Sequence, residues 1–446
     1  MKIRCLVVLV ILTALCTLAE AADLEAYIKN RPEMWSRLQA NWLEGETASW
    51  FKPVSDAADA ELRYPGYKNS PQVVFLGHKT YEIVLKFGTD RLEEITISTY
   101  NRGDAGDISA SEFSSQVAAI DKAIGEWTGI EGKTHDVEKL SANAAVNSKV
   151  WLQKHLATEM RWSMSKHAAS AQDTKGFRAE YIKLVLMPRD LYDKRSSAVG
   201  TSGAGHSATA LDSKRNVRRD ADKYVFIDNI PMVDQGEKGY CAVATAERIL
   251  RYYGKNVDQH MLAQMADTKT LGGTTPDAIF DVFRRIGIKL GVKISVHYDF
   301  SVRQLLNLVA KYNQEAKHNS RVRPIDLGQG GVIDLARLYE TMDLATLRRS
   351  RCEREQSAYK KFLADIAGCV DQGVPVAWSV VLGLVPEKPE LPQAAGGHLR
   401  IIFGYNKVTQ EVVYTDSWGM GHERKTMSFA DAWTITTGLF SLDPRH

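Results

Sequence analysis

Four side chains in the second half of the chain have the types and order that acyl transfer through a thiol requires. Cys241 closes the segment Gln235-Gly-Glu-Lys-Gly-Tyr-Cys241 and opens the helical run Ala242-Val-Ala-Thr-Ala. A cysteine in the first turn of a helix meets the positive end of the helix dipole and unpaired backbone N–H groups, which favour thiolate over thiol. Gln235 precedes it across a glycine-containing turn, so its amide can return beside the thiolate and donate to a developing oxyanion. His398, in Gly396-Gly-His398-Leu-Arg-Ile-Ile-Phe-Gly404, heads an apolar strand, a rigid mount for a general base. Asp416 closes Val412-Val-Tyr-Thr-Asp416 one hairpin later, where a carboxylate can select the imidazole tautomer and stabilise the imidazolium. Trp418 follows and is placed to shield that contact from water. His422 is the competing base, but the turn Gly419-Met-Gly-His422-Glu is expected to fix it poorly. Each residue also has a plainer reading: a small residue packing a helix start, a strand-end histidine, an aspartate beginning a turn.

Other chemistries find no motif. There is no C-x-x-C, no H-E-x-x-H and no phosphate-binding G-x-x-x-x-G-K-S/T loop, and the remaining histidines lack metal-ligand spacing, so neither a cofactor nor a metal is expected. A formal net charge of +3 over 446 residues implies neither nucleic acid nor an acidic membrane as a partner.

The first residues carry Lys2 and Arg4, an apolar run over residues 6–18, then Ala19-Glu20-Ala21, the pattern of a secretory signal cleaved before Ala22. The apolar run is too short for a membrane span, which takes about 20 residues. Residues 1–21 are therefore read as a signal peptide, the mature protein as periplasmic or extracellular, with no integral membrane segment. Cys241, Cys352 and Cys369 then remain, an odd number for an oxidising compartment. Residues 353–370 read as one helix, about 25 Å long, which would keep Cys352 and Cys369 apart as small apolar helix-surface residues.

The elements that would hold the site come late in the chain. Residues 224–227 read as a short strand and 242–253 as a helix stopped by Gly254. A second amphipathic helix runs over 276–285, capped by Thr275 with Pro276 in its first turn. Helical material over 302–367 is followed by strands at 374–382, 399–403 and 412–416, which suggests a helical layer packed on an antiparallel sheet. The N-terminal portion is mixed. Helical spacing around Trp35, Leu38 and Trp42, strands at 81–87 and 94–100, a helix at 110–127 and strands at 158–166 and 179–187 read as a separate α+β domain. Six of the nine tryptophans lie there and are read as its core rather than as a binding platform. Between residues 193 and 222 the composition turns to Ser, Gly and Ala, then to Lys214-Arg-Asn-Val-Arg-Arg219, and apolar periodicity disappears, as in a flexible linker. The expected organisation is a signal peptide (1–21), an N-terminal α+β domain of unassigned role (22–192), a linker (193–222) and a C-terminal α+β domain (223–446).

The order Gln235, Cys241, His398, Asp416, with Asp416-Ser-Trp-Gly419 ending the site, resembles the papain-like cysteine peptidases. Those enzymes usually carry Asn at the third position, and their His and Asn follow the Cys by about 130–150 residues; here the separations are 157 and 175. Asp416, Ile230-Pro-Met-Val-Asp-Gln235 and Gly373-Val-Pro-Val are similar to the bacterial bacteriocin-processing, or double-glycine, peptidases. Tyr240 and Ala242 flank the nucleophile where papain itself has Ser and Trp. The resemblance covers about residues 224–446, leaves residues 292–351 as an insertion without a counterpart, and does not reach the N-terminal domain. It implies a papain-like fold and hydrolysis of a peptide or protein substrate, with Cys241 as nucleophile, His398 as base, Asp416 as its orienting partner and Gln235 in the oxyanion hole. The same groups serve acyltransferases and transpeptidases, and a non-catalytic binding protein on a peptidase scaffold is the further alternative. The position of the N-terminal domain, ahead of basic pairs at 214–215 and 218–219, also fits a latent precursor opened by nicking.

Overall fold

The computed structural model describes residues 21–57, 61–64, 66, 71–89, 91–135, 137–141, 144–166, 176–201, 210–236, 239–255, 257–266, 276–299, 301–327 and 334–443. The apolar run read as a signal peptide, the N-cap Thr275 and the Ser202-Gly-Ala-Gly205 stretch lie outside them.

The N-terminal half is an antiparallel sheet with a helix across one face. Its six central strands are β1 (Leu62–Tyr64), β2 (Glu82–Phe87), β3 (Leu92–Asn101), β4 (Ala144–Leu152), β5 (Leu156–Lys166) and β6 (Phe177–Pro188), in the spatial order β1-β2-β3-β6-β5-β4, with three short strands at the edges. Helix α1 (Ala110–Thr128) packs beside them. Ser109 caps it, its hydroxyl accepting from the Glu112 backbone N–H while Glu112 accepts from the Ser109 N–H, and Gly129 ends it in the left-handed conformation. Because side chains alternate across a strand, each strand has two faces of different chemistry. Ile83, Leu85, Ile95, Ile97, Met160, Ile182, Leu184 and Leu186 point to the core with Phe113, Ile120 and Ile124 of α1. Glu82, Lys86, Glu94, Glu159, Arg161 and Lys183 occupy the other face. Trp42, Trp50 and Trp151 are buried in this core, with Trp35, Trp127 and Trp162 packed at its edge.

Helix α2 (Arg189–Thr201) continues directly from β6, and β7 (Val217–Arg219) pairs with β8 (Val225–Ile227). The stretch read as a linker is thus largely regular structure among its described residues. The reason is docking: Ser213 is buried, its backbone lies against Gly373, and the Tyr252 hydroxyl donates to the carbonyls of Ser213 and Gly373. The basic pair Arg218-Arg219 sits in a paired strand rather than in a flexible segment.

The C-terminal half contains α3 (Cys241–Tyr252), α4 (Gln259–Ala266), α5 (Pro276–Leu290), β9 (Lys293–Asp299), α6 (Val302–Ala316), α7 (Gln356–Asp371), β10 (Val376–Leu382), β11 (Gly396–Asn406), β12 (Glu411–Thr415), β13 (Lys425–Ser428), α8 (Phe429–Ile435) and β14 (Thr436–Asp443). Its antiparallel sheet runs β7-β8-β11-β10-β14-β9, with β12 beside β11 and β13 beside β12. Helices α3, α5 and α7 cover it through Ile249, Phe283, Ile286, Phe362 and Ile366. This is the α+β arrangement of helices on an antiparallel sheet. Two readings change here. Strand β9, at the start of the stretch taken as an insertion, pairs along its length with β14 and belongs to the main sheet. The single helix over 353–370 is broken at Glu355, with a π-helical turn, Ser350–Arg354, before α7. Cys352 stands on that turn and Cys369 on α7, and neither they nor Cys241 form a disulfide.

Candidate active site

One face of α3 organises the site. Cys241 is the first residue of the helix and is buried. One turn later the Thr245 hydroxyl donates to the Leu399 carbonyl at 3.2 Å, tying the helix to β11 at the residue after His398. A further turn on, Arg248 donates to the carbonyls of Pro231 (2.8 Å) and Asp416 (2.7 Å) and to the Thr415 hydroxyl (2.7 Å). Positions i, i+4 and i+7 lie on one helical face. A single helix therefore carries the thiol and fixes the histidine strand, the aspartate loop and the segment leading to Gln235. Burial lowers the Arg248 guanidinium to about 10, leaving it a cation at neutral pH. Small residues at 242, 244 and 246, all buried, let the strand approach this closely.

His398, third residue of β11, and Asp416, directly after β12, are both fully buried. Nε2 of His398 lies 3.2 Å from Oδ1 of Asp416, an electrostatic contact not aligned as a hydrogen bond, and Nδ1 has no hydrogen-bond partner among the described residues. The Trp418 indole stacks on the imidazole, centroids 4.0 Å apart and planes 5° from parallel. Burial lowers the His398 pKa against the opposing pull of Asp416, so the ring is neutral at neutral pH, the form that can accept a proton.

Asp416 is ionised by its surroundings. Burial alone would raise its pKa, but the Arg400 guanidinium at 2.7 Å, with His398 and His422, holds it well below the ordinary carboxylate range. Lys425 Nζ reaches Asp416 Oδ2 at 3.0 Å. Arg400 and Lys425 share a second acid, Glu387, at 2.9 and 3.0 Å, so two cations and two carboxylates close a ring with almost no exposure to water. Arg400 stands two residues after His398 on the same strand face, and Glu387 lies in the proline-rich connection between β10 and β11. The signal for Arg400 was present in His398-Leu-Arg400, by strand alternation; nothing local marks Glu387 or Lys425. His422 is held more firmly than its turn suggested. Its carbonyl accepts from the Asp416 N–H (3.1 Å) and the Thr415 hydroxyl (2.8 Å), and its Nδ1 lies 3.6 Å from Asp416.

Gln235 is buried. Its backbone N–H donates to the Ser417 carbonyl at 2.8 Å, an isolated β-bridge joins Asp234 to Trp418, and its side-chain Oε1 has no hydrogen-bond partner among the described residues. The segment before Cys241 and the loop after Asp416 are thereby stitched together. The other two thiols are differently placed. Burial pushes Cys369 up to about 11 and raises Cys352, so both stay protonated.

Residues 227–440 match the model of the Peptidase_C39 like family. Over that stretch the C-terminal half is similar to this family. Among solved structures, xylellain, described as a cysteine protease from Xylella fastidiosa, matches at 11% identity over 52% of this chain and 88% of its own, with a TM-score of 0.21. No curated protein matches the chain. The C39-like match takes in Cys241, His398, Asp416, Gln235 and the whole charged ring, and stops short of the N-terminal domain. No helix among the described residues is long and apolar enough to cross a membrane.

Proposed function

We propose that the C39-like domain is a cysteine peptidase acting through Cys241, His398 and Asp416. The observation that carries this reading is the state of His398: a neutral imidazole with one nitrogen on an ionised carboxylate and the other uncommitted, on a strand tied to the nucleophile's helix. In the reaction, the His398 nitrogen not facing Asp416 takes the Cys241 proton and the thiolate attacks the scissile carbonyl. The backbone N–H of Cys241 and the Gln235 side chain donate to the oxyanion. His398 then protonates the departing amine, leaving an acyl-enzyme that water hydrolyses with His398 as base. Asp416 holds the ring and offsets its transient positive charge, a task for which the flanking cations keep it ionised.

The substrate class is peptide or protein, and the residues before Ala22 support an exported enzyme. The test is mass spectrometry of casein peptides incubated with the full chain and with Cys241→Ala. Cleavage by the first and not the second is expected. Joined rather than cut peptides would reassign the domain to acyl transfer, and no product from either would refute enzymatic function on peptides.

A further inference from the structure

The charged face of the N-terminal sheet does not look into open solvent. Across it stand α3, α4 and residues 232–234 of the C39-like domain, and between the two lies a cavity of about 770 Å3 whose walls include Glu61, Arg63, Glu82, Asp234, Glu247 and Arg251. Contacts cross at its edges: Glu61 with Arg251 of α3 at 2.5 Å, Glu82 with His260 of α4 at 2.9 Å, Lys183 with Asp258, and the Ser163 hydroxyl with Gln264 at 2.9 Å. Two further contacts fall on the turn that carries the oxyanion donor and the nucleophile. Arg63 on β1, 4% exposed, bridges Glu82 at 2.7 Å and Asp234 at 3.4 Å. Asp234 in turn accepts the Gly236 N–H at 2.8 Å, which shapes the turn around Gln235, where Gly236 takes φ +71°. At the other end, the Tyr240 hydroxyl packs so closely on Gly103 that a side chain at 103 would collide with it. Val54 packs on Met232 just upstream.

We infer that Arg63 is a positioning residue for the peptidase reaction, holding the oxyanion turn in register through Asp234, so that the N-terminal domain completes the catalytic domain instead of masking it. The inference rests on the peptidase reading and adds a role for a domain which that reading leaves unused. The physical argument is one of restraint. Gln235 must present its amide within hydrogen-bond reach of an oxyanion that exists only during the reaction, and a shift of about 1 Å can cost on the order of a hundredfold in rate. Within the C39-like domain the turn around Gln235 is tied by the Gln235 N–H to Ser417, by the Asp234–Trp418 bridge and by the Gly236 N–H to Asp234 itself. A buried guanidinium paired on its far side with Glu82 gives Asp234 an anchor outside the catalytic domain.

The experiment compares full-length Arg63→Gln, Arg63→Lys and Glu61→Gln with the unaltered chain, reading three quantities. These are turnover of fluorescein-labelled casein, the iodoacetamide alkylation rate of Cys241, and hydrogen exchange in the peptide covering 230–241. Arg63→Gln is expected to lower turnover at saturating casein at least tenfold, to speed exchange across 230–241, and to leave alkylation within twofold, because Cys241, His398 and Asp416 are untouched. Arg63→Lys should restore most of the turnover. Glu61→Gln, which removes an ion pair of the same interface away from the turn, should leave turnover and exchange over 230–241 within twofold. Turnover and exchange unchanged in Arg63→Gln would overturn the inference, as would equal losses in Arg63→Gln and Glu61→Gln. If the unaltered chain neither turns over casein nor alkylates Cys241 faster than Cys369, the peptidase reading fails by itself. The hold of Arg63 on the turn is then decided by the exchange measurement alone.

Discussion

The ring around Asp416 and the charged sheet face across the interdomain cavity use the same residue types, yet they are built for different conditions. In the ring, Glu387, Arg400, Asp416 and Lys425 are closed on one another with almost no exposure to water, and every charge has an opposite charge within about hydrogen-bond distance. At the interface the ion pairs line a cavity of about 770 Å3, large enough to hold water. A dry network fixes a protonation state, here an anionic aspartate beside a neutral histidine, at the risk of a large penalty when one member is lost. At the interface the more exposed outer pair, Glu61 with Arg251, is expected to tolerate loss, whereas Arg63, buried between Glu82 and Asp234, is not.

The largest effect should come from breaking the dry ring. Arg400→Met leaves two buried carboxylates with one cation between them and is expected to destabilise the domain by about 3–5 kcal/mol, as uncompensated buried charges do. Urea denaturation would measure it. An effect below about 1 kcal/mol would show that water enters the ring and that the contrast with the interface is false.

Asp416→Asn comes next and separates orientation from charge. The amide can still face His398 Nε2, but Arg400 and Lys425 lose half of their counter-charge. A loss of about 2–3 kcal/mol in stability with measurable residual turnover is expected, against near-complete loss of turnover in Asp416→Ala. Equal turnover losses in both would assign the effect to charge alone.

The two networks should also respond to pH with opposite sign. His398 has a folded pKa below its ordinary 6.5, so the stability it contributes is full above that value and is lost as pH falls below it. Asp416 and Glu387, held below their ordinary values, add losses at still lower pH. At the interface, burial pushes Glu247 on α3 up to about 7. A carboxyl with a raised folded pKa stabilises most below its ordinary 4.5, and that contribution is lost as pH rises through about 7. Between pH 5 and pH 8 the change in stability of the unaltered chain should therefore be less favourable than that of Glu247→Gln, by on the order of 2 kcal/mol. The same pH dependence in both proteins would contradict a raised Glu247 pKa.

Much of this was legible in the chain, and the failures have a common cause. Alternation in residues 81–87 and 94–100 marked strands with one apolar face, and the helix read over 110–127 begins at Ala110 as expected. Alternation identifies which face is not core; it does not say whether solvent or another domain covers it. The same locality explains residues 213–219, whose polar composition hid a segment ordered by contact with Gly373 and Tyr252, and β9, whose partner β14 lies at the far end of the chain. Cys241, His398 and Asp416 stood out because their chemistry is rare at strand and helix ends. Thr245, Arg248, Glu387 and Lys425 did not, because their roles exist only once distant elements meet.

The account turns on Cys241 being activated while the other thiols are not, and mass-resolved alkylation of the full chain with iodoacetamide at pH 6 measures this directly. With Cys369 pushed up to about 11 and Cys352 raised as well, both should react slowly, while Cys241 at the start of α3 should be labelled faster by at least an order of magnitude. His398→Ala should remove that advantage. Equal labelling of all three cysteines, or a Cys241 rate indifferent to His398, would contradict the assignment of the site.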